Sequence, residues 1–198
     1  MNPFIVTYTN KFKDYCDKMF FHNLHQMAKD YTVCIIDNTP GMAYTHTLAE
    51  IISAYTWKSV HLEHIEVDPD PERTVFLRSV AASAERCREL FLQSGCDHMI
   101  IVESDVVPPK NTVSLLYGDL NKVPSDWGAI GALYYPGFHN YEQMGLHETT
   151  HTLSGCTLYN RKLLEDTPFK WNPDNIHAFS DFWISYDAVQ KGFKLYNA

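Results

Sequence analysis

Apolar residues along this chain follow two spacings, and the order of these spacings predicts an α/β fold. Short apolar runs of strand length occupy residues 4–8, 32–36 and 99–102. Longer stretches carry apolar residues at helical spacing, at residues 11–31, 43–55 and 75–93. A strand, a helix and a second strand in succession form a parallel crossover unit. The pattern therefore predicts one domain with a central, mostly parallel sheet flanked by helices.

The remaining elements are shorter. Residues 60–67 alternate apolar with polar side chains, which is typical of an edge strand. Further strands are predicted at residues 127–134, 153–160 and 193–196, and further helices at residues 111–120 and 179–191. Residues 135–152 form a long aromatic segment with Gly and His. Loops of that length are uncommon in compact domains, so we expect a binding loop or lid there rather than an idle connection.

The apolar run at residues 99–102 ends abruptly in two carboxylates, Glu103 and Asp105. The two prolines that follow cannot continue a strand, so both acids are expected where the chain leaves the sheet. Open α/β sheets bind ligands at such strand ends. Two carboxylates separated only by the small Ser104 can share a hard divalent cation, which would hold an anionic group such as a diphosphate. The alternative is an acidic turn without a ligand.

Polar side chains also end the first two predicted strands. Thr7, Tyr8 and Thr9 end the first, and Asp37 and Asn38 end the second. Because neighbouring parallel strands end at one edge of a sheet, these residues are candidates to hold a nucleobase and a ribose by hydrogen bonds. An Asx turn that only reverses the chain is the alternative for Asp37 and Asn38.

The helix predicted over residues 75–93 carries three arginines, Arg78, Arg86 and Arg88. We select Arg86 as the candidate for bidentate hydrogen bonds to phosphate oxygens. The alternative is a solvated surface arginine.

A second acidic site is predicted at the start of the last helix, in the sequence Phe179-Ser180-Asp181-Phe182. The aromatic neighbours would partly desolvate Asp181, which suits a carboxylate that removes a proton from an attacking hydroxyl. The structural alternative makes Ser180 the N-cap and Asp181 a favourable charge at the helix N-terminus. Asp187, further along the helix, is the weaker catalytic candidate.

Composition narrows the possible partners and the compartment. The 198 residues suit one domain, and the net charge of -8 argues against a nucleic-acid-binding or anionic-membrane surface. No apolar stretch is long enough to span a bilayer. The five cysteines are widely spaced without a CxxC pair, which favours buried free thiols over a zinc site and predicts a cytoplasmic protein.

In their order and spacing, these motifs resemble those of the GT-A class of nucleotide-sugar-dependent glycosyltransferases over nearly the whole chain. Glu103-Ser104-Asp105 resembles the family's Asp-x-Asp metal motif, with Glu in the first position. Residues 153–164 resemble the small-residue strand before the catalytic helix. Residues 179–182 resemble the acceptor-side acid motif, although Ser180 stands where the family usually has an acid.

The resemblance implies an inverting, metal-dependent hexosyltransferase. Asp105 would be the principal carboxylate for Mn²⁺ or Mg²⁺, Glu103 would hold the ribose or a metal-bound water, and Asp37 would hold the base. Asp181 would deprotonate the acceptor hydroxyl. The donor would be a nucleotide-sugar, with UDP-sugars favoured, and the acceptor a glycan, a lipid-linked molecule or a protein. Residues 1–110 would form the nucleotide-binding half and residues 111–198 the acceptor-binding half.

Family members often supply a further metal ligand, commonly a histidine, from beyond the last strand. The internal candidates for that role here are His147, His151 and His177. Two other functions stay open. One is a sugar-1-phosphate nucleotidyltransferase, although residues 7–13 lack the glycine of its usual phosphate loop. The other is a non-catalytic module that binds nucleotide-sugars or carbohydrates.

Overall fold

A sheet of eight strands runs through the computed structural model, in which the described residues are 2–67, 75–132, 145–152, 155–174 and 178–198. The strands are β1 (Pro3–Thr9), β2 (Thr32–Asp37), β3 (Ser59–His64), β4 (His98–Val102), β5 (Trp127–Gly131), β6 (His147–Thr149), β7 (Cys156–Asn160) and β8 (Lys194–Asn197). The helices are a 3₁₀ helix (Lys11–Cys16), α1 (Asp17–Ala28), α2 (Ala43–Ser53), α3 (Val75–Gln93), α4 (Thr112–Leu120), α5 (Arg161–Asp166) and α6 (Ser180–Gln190).

The strands lie in the order β3-β2-β1-β4-β7-β5-β8-β6. β3, β2, β1 and β4 pair in parallel, and β5 pairs in parallel with β8. β7 lies antiparallel between β4 and β5, and β6 is antiparallel to β8. The predicted mostly parallel α/β sheet is therefore confirmed, with β3 at one edge.

Alternating side chains of the strands divide the core into two layers. On β1, Ile5 packs into the layer covered by α1, α2 and α4, whereas Phe4 and Val6 pack into the layer covered by α3, α5 and α6. β1 is buried along its whole length because helices cover both faces of the sheet. The second layer contains Tyr8 of β1 together with Ile184 and Ala188 of α6.

The strongest periodic segment has the bounds that the sequence predicts. α3 spans residues 75–93, and Gly95 after it adopts a φ of +70°, a backbone conformation that favours glycine at a helix end. The five cysteines are buried free thiols, as predicted. Among the described residues, no helix is long and apolar enough to cross a membrane.

The helix predicted over residues 11–31 is wrong in its first third. The 3₁₀ helix Lys11–Cys16 comes first, and Tyr15 is 77% exposed instead of lying on a buried helical face. Hydrogen bonds to distant strand ends fix this segment: the Lys11 N–H donates to Thr39 Oγ1, and Cys16 Sγ donates to the Ser104 carbonyl. Such tertiary contacts are invisible to helical periodicity.

Two short elements were not predicted. β6 has only the three polar residues His147–Thr149 and lies within the segment 135–152 that is predicted to be a loop. α5 begins at Arg161, where the Asn160 side chain accepts a hydrogen bond from the Lys162 N–H. Residues 133–144 and 153–154 of the predicted elements lie outside the described part of the chain.

Candidate active site

The two carboxylates after β4 lie where the chain turns away from the sheet. β4 ends at Val102, the Glu103 N–H donates to the Gly155 carbonyl over 2.9 Å, and the Val106 N–H donates back to the Glu103 carbonyl. This turn leaves Glu103 half-buried and Asp105 exposed, while Ser104 between them is buried. The predicted position of the acids at the strand exit is confirmed.

Tyr8 connects β1 to the first of these acids. Its hydroxyl donates to Glu103 Oε1 over 3.2 Å. Its neighbours Thr7 and Thr9 point to the opposite face of β1, where both residues are buried. The structure therefore brings Tyr8 to the site and does not bring the hydroxyls of Thr7 and Thr9 to an accessible surface.

Asp105 has a cationic partner that sequence reasoning missed. Lys13 Nζ lies 3.0 Å from Asp105 Oδ2, and the two side chains are 19% and 37% exposed. Lys13 belongs to the 3₁₀ helix, which crosses the ends of β2 and β4 through its contacts with Thr39 and Ser104. Lys13 could have been found only as a basic residue shortly after the first strand.

The acid at the end of β2 is in a different environment. Asp37 is fully buried, its Oδ1 accepts the Thr39 N–H over 2.8 Å, and its Oδ2 accepts the Thr45 hydroxyl over 2.6 Å. His64 Nδ1 lies 3.5 Å from Oδ2. The adjacent Asn38 is buried and donates to Ser83 Oγ. The bond from the Thr39 N–H to Asp37 Oδ1 is the Asx turn that was the structural alternative. Because both side chains are buried and bonded within the protein, the arrangement does not offer Asp37 or Asn38 to a nucleobase.

Arg86 lies in an ion pair instead of at the strand-end crevice. Its Nε and Nη2 donate to the two carboxylate oxygens of Glu63, and its Nη1 donates to Glu89. The Arg86 hydrogen bonds hold the pKa of Glu63 below its usual value. This arrangement does not support the predicted contact of Arg86 with phosphate, because all three guanidinium nitrogens already bind carboxylates of β3 and α3.

Asp181 lies in the first turn of α6 with only 13% of its side chain exposed. His151 Nε2 is 3.9 Å from Asp181 Oδ2, and the Phe182 N–H donates to Asp181 Oδ1 over 2.8 Å. Ser180 is the first residue of the helix and not its N-cap, which is Phe179 without a side-chain hydrogen bond. The capping role predicted for Ser180 is therefore wrong, whereas the partial desolvation of Asp181 agrees with the prediction.

Tyr159 is a buried tyrosine whose pKa responds to acids of both regions. This phenol on β7 is fully buried, and burial raises its pKa; the negative charges of Asp181 and Glu103 raise the pKa further. Sequence reasoning missed Tyr159, because an aromatic residue within a strand has the same pattern as a core residue.

Two aromatic rings and His151 line a cleft next to Asp181. Phe182 and Tyr186 lie with ring centroids 6.5 Å apart and ring planes inclined by 17°, and they are 41% and 50% exposed. The cleft has a volume of about 310 Å³ and is also lined by Thr150, Val189 and Gln190. An apolar surface with polar groups at its border is typical of a small-molecule site.

The other candidate histidines differ from His151. His147 Nδ1 lies 2.7 Å from the Gly145 carbonyl, and His177 lies outside the described residues. Within the described ranges, no three His, Cys, Asp or Glu side chains converge as a metal-binding group. Asp105 and Glu103 nevertheless fit a divalent ion bound with its substrate, because Mg²⁺ typically takes one or two carboxylates and completes its shell with phosphates and water. Asp105 already accommodates positive charge in the form of the Lys13 ammonium.

Comparisons with solved structures reveal nucleotide-sugar transferases with this fold. The mannosyltransferase PcManGT from Pyrobaculum calidifontis, in complex with GDP-Man and Mn²⁺, matches with a TM-score of 0.66 and 13% identity over 98% of this chain and 54% of its own. S. aureus TarS 1–349 in complex with UDP-GlcNAc matches with a TM-score of 0.63 and 14% identity over 100% of this chain and 58% of its own. The chain thus spans little more than half of each structure.

A nucleotidyltransferase also shares the fold. CMP:2-keto-3-deoxy-manno-octonic acid synthetase complexed with CTP matches with a TM-score of 0.52 and 12% identity over 100% of this chain and 89% of its own. No protein-family model matches the chain, and no curated protein matches it in sequence. The predicted GT-A-type fold is confirmed by these structures.

Proposed function

We propose that the protein transfers a hexose from a nucleotide-sugar, with UDP-sugars favoured, to an acceptor hydroxyl, with inversion at the anomeric carbon. The observation that carries this proposal is a pair of acids in a GT-A-type fold: Glu103, which follows β4 and accepts the Tyr8 hydroxyl, and Asp181, which lies in the first turn of α6 beside His151. One acid lies at a strand-end edge, where open α/β sheets bind nucleotides. The other lies beside a cleft of about 310 Å³ that suits an acceptor.

The donor site of this proposal consists of Tyr8, Lys13, Glu103 and Asp105. Tyr8 orients Glu103 through its hydroxyl, and Glu103 would accept hydrogen bonds from the ribose or from water. Lys13 and Asp105 lie at the more exposed end, where the diphosphate would bind. The donor site excludes Asp37, Asn38, Thr7, Thr9 and Arg86, because their polar groups are buried or occupied by other residues.

A divalent ion, Mn²⁺ or Mg²⁺, would be held by Asp105 and Glu103 and would neutralise the charge of the leaving diphosphate. The protein's own contribution at this position is the Lys13 ammonium, which can donate hydrogen bonds to phosphate oxygens as they gain charge. The metal ion and the Lys13 ammonium would both place positive charge at the end of β4, which supports placing the leaving diphosphate there. Residues 1–110 would then form the donor half.

Asp181 would act as the general base. Its carboxylate accepts the proton of the acceptor hydroxyl while that oxygen forms a bond to the anomeric carbon and the bond from that carbon to the diphosphate oxygen breaks. One displacement from the face opposite the leaving group inverts the anomeric centre. The limited exposure of Asp181 keeps competing water away from the reacting hydroxyl.

The acceptor would bind in the cleft beside Asp181. The faces of Phe182 and Tyr186 are flat and exposed, which suits the C–H face of a sugar ring. Polar side chains at the border, including Gln190, can bind hydroxyl groups. Among glycan, lipid-linked and protein acceptors, this surface favours a glycan. It lies in residues 111–198, the acceptor half.

The nucleotidyltransferase is the second candidate, because the CTP-bound synthetase shares the fold. Its phosphate loop normally contains glycine, whereas residues 7–13 contain none and form the end of β1 and the start of the 3₁₀ helix. A cytoplasmic location, predicted from the free thiols, suits either enzyme.

The decisive experiment measures sugar transfer and donor hydrolysis across a panel of nucleotide-sugars with Mn²⁺, and repeats each assay with a chelator. We expect turnover of a UDP-sugar that the chelator abolishes. Asp181→Asn removes the base and should lower kcat by about a thousandfold or more without changing donor affinity.

Asp187→Asn is the matched control. Asp187 lies on the same helix but pairs with Lys170, so the variant should keep near-normal turnover. Stoichiometric donor binding without turnover in the unmodified protein would identify a binding module instead. Formation of a nucleotide-sugar from a sugar phosphate and a nucleoside triphosphate would favour the nucleotidyltransferase.

A further inference from the structure

Lys13 is held in position by the segment that carries it. The 3₁₀ helix Lys11–Cys16 is bonded at one end through the Lys11 N–H to Thr39 Oγ1 over 2.8 Å. At the other end the Cys16 thiol shares its proton between the Lys13 carbonyl at 2.9 Å and the Ser104 carbonyl at 3.1 Å. These contacts fix its backbone across the ends of β2 and β4. The Lys13 side chain, 19% exposed, extends from this backbone so that its ammonium lies 3.0 Å from Asp105 Oδ2.

The ammonium contacts the same carboxylate that would hold the proposed metal ion. A divalent cation on Asp105 would lie within a few ångströms of Lys13, and two cations at such a distance repel each other strongly. A bound diphosphate reverses this relation, because its negative charges attract both cations. The same lysine therefore opposes the metal when no donor is bound and supports it when a donor is present.

We propose that Lys13 occupies the cation position at Asp105 in the donor-free protein and turns to the diphosphate when donor and metal bind together. Metal binding is then conditional on the nucleotide. By linkage, a nucleoside diphosphate raises the affinity for the metal by the same factor by which the metal raises the affinity for the nucleotide. The inference rests on the proposed donor site, but it concerns binding and does not require turnover.

The test is a titration with Mn²⁺ in which free Mn²⁺ is measured by electron paramagnetic resonance, with and without UDP. We compare the unmodified protein with Lys13→Met. Without UDP, Lys13→Met should bind Mn²⁺ about tenfold more tightly, the effect of one removed positive charge after partial solvent screening. UDP should strengthen Mn²⁺ binding to the unmodified protein by a larger factor than it does for the variant.

Lys11→Met is the matched control. It removes the same charge from the same 3₁₀ helix but keeps the backbone bond to Thr39, and the Lys11 side chain is exposed. It should bind Mn²⁺ like the unmodified protein. Asp105→Asn should weaken Mn²⁺ binding both in the otherwise unmodified protein and when combined with Lys13→Met.

Equal Mn²⁺ affinity for Lys13→Met and the unmodified protein would overturn the inference. An equal gain in Mn²⁺ affinity for Lys11→Met and Lys13→Met would also overturn it, because the gain would then come from the change in net charge. An absence of UDP-dependent strengthening in the unmodified protein would also overturn it. Failure of the proposed function looks different: the Mn²⁺ and UDP coupling would be present, but no nucleotide-sugar would be turned over.

Discussion

Two strands of this sheet have an acid at or just beyond their carboxyl ends, and the two acids lie in opposite environments. At the end of β2, Asp37 is fully buried and bonded to Thr39 and Thr45. At the end of β4, Asp105 is 37% exposed and its partner is the cation Lys13. In the sequence the two acids look alike, since each follows a run of apolar β-branched residues and precedes a turn.

The difference arises from where each strand stops. β2 continues through Asp37, which pairs in register with Thr9 and His64, so its side chain stays on a covered face of the sheet. β4 stops at Val102, one residue before Glu103, and the turn that follows releases Asp105 to solvent. Asp37 is thus the last residue of its strand, whereas Asp105 lies three residues beyond the end of its strand, and this difference separates a structural carboxylate from one that can meet a ligand.

The largest expected difference between the two strand ends is the loss of turnover in the variant Asp105→Asn. The variant loses a negative charge at the proposed diphosphate and metal position, so kcat/KM should fall about a hundredfold or more. Its free energy of unfolding should change by less than about 1 kcal/mol, because an exposed ion pair contributes little to stability. Initial-rate kinetics measure kcat/KM, and urea denaturation measures the free energy of unfolding. Normal turnover in this variant would make the β4 end a mere acidic turn.

The opposite result is expected for Asp37→Asn. The Thr39 N–H and the Thr45 hydroxyl would lose charged acceptors in a buried site, which should lower the free energy of unfolding by about 2–4 kcal/mol. Urea denaturation measures this loss. The UDP affinity of the folded variant should stay within about twofold of normal, because the carboxylate has no accessible surface. A stable variant that no longer binds UDP would instead restore the nucleobase role predicted from the sequence.

Much of the fold could be predicted because it depends on local patterns. The amphipathic period of α3 and the apolar runs of β1 and β2 are properties of consecutive residues, and they are found at nearly the predicted bounds. β6 carries no such pattern, because its three residues are polar and join the sheet by pairing with β8.

The candidate site depends on contacts between distant residues, and these could be predicted only in part. The exit of Glu103 and Asp105 from the sheet follows from the prolines that come next. The pairing of Arg86 with Glu63 follows from the register of α3 against β3, which spacing along the chain does not contain. In the same way, Lys13 meets Asp105 only because the 3₁₀ helix folds over two strand ends.

The smallest expected effect is on the pH dependence of stability, and it concerns the buried acids near the end of β2. Asp17 lies beside it, receives the Tyr44 hydroxyl on both carboxylate oxygens, and has its pKa raised to about 6, chiefly by burial and to a lesser degree by the charges of Asp14 and Asp37. Between the ordinary pKa of an aspartate, about 4, and this value, the folded protein keeps a proton that the unfolded chain has lost. Unfolding therefore releases a proton, and the contribution of Asp17 to the free energy of unfolding falls as the pH rises through this window.

The variant Asp17→Asn removes that pH dependence and keeps an acceptor for the Tyr44 hydroxyl. Urea denaturation at a series of pH values should show the variant gaining about 1–2 kcal/mol relative to the unmodified protein between pH 4 and 7. Parallel pH profiles for the two proteins would contradict the raised pKa, and a relative loss with rising pH would reverse its sign.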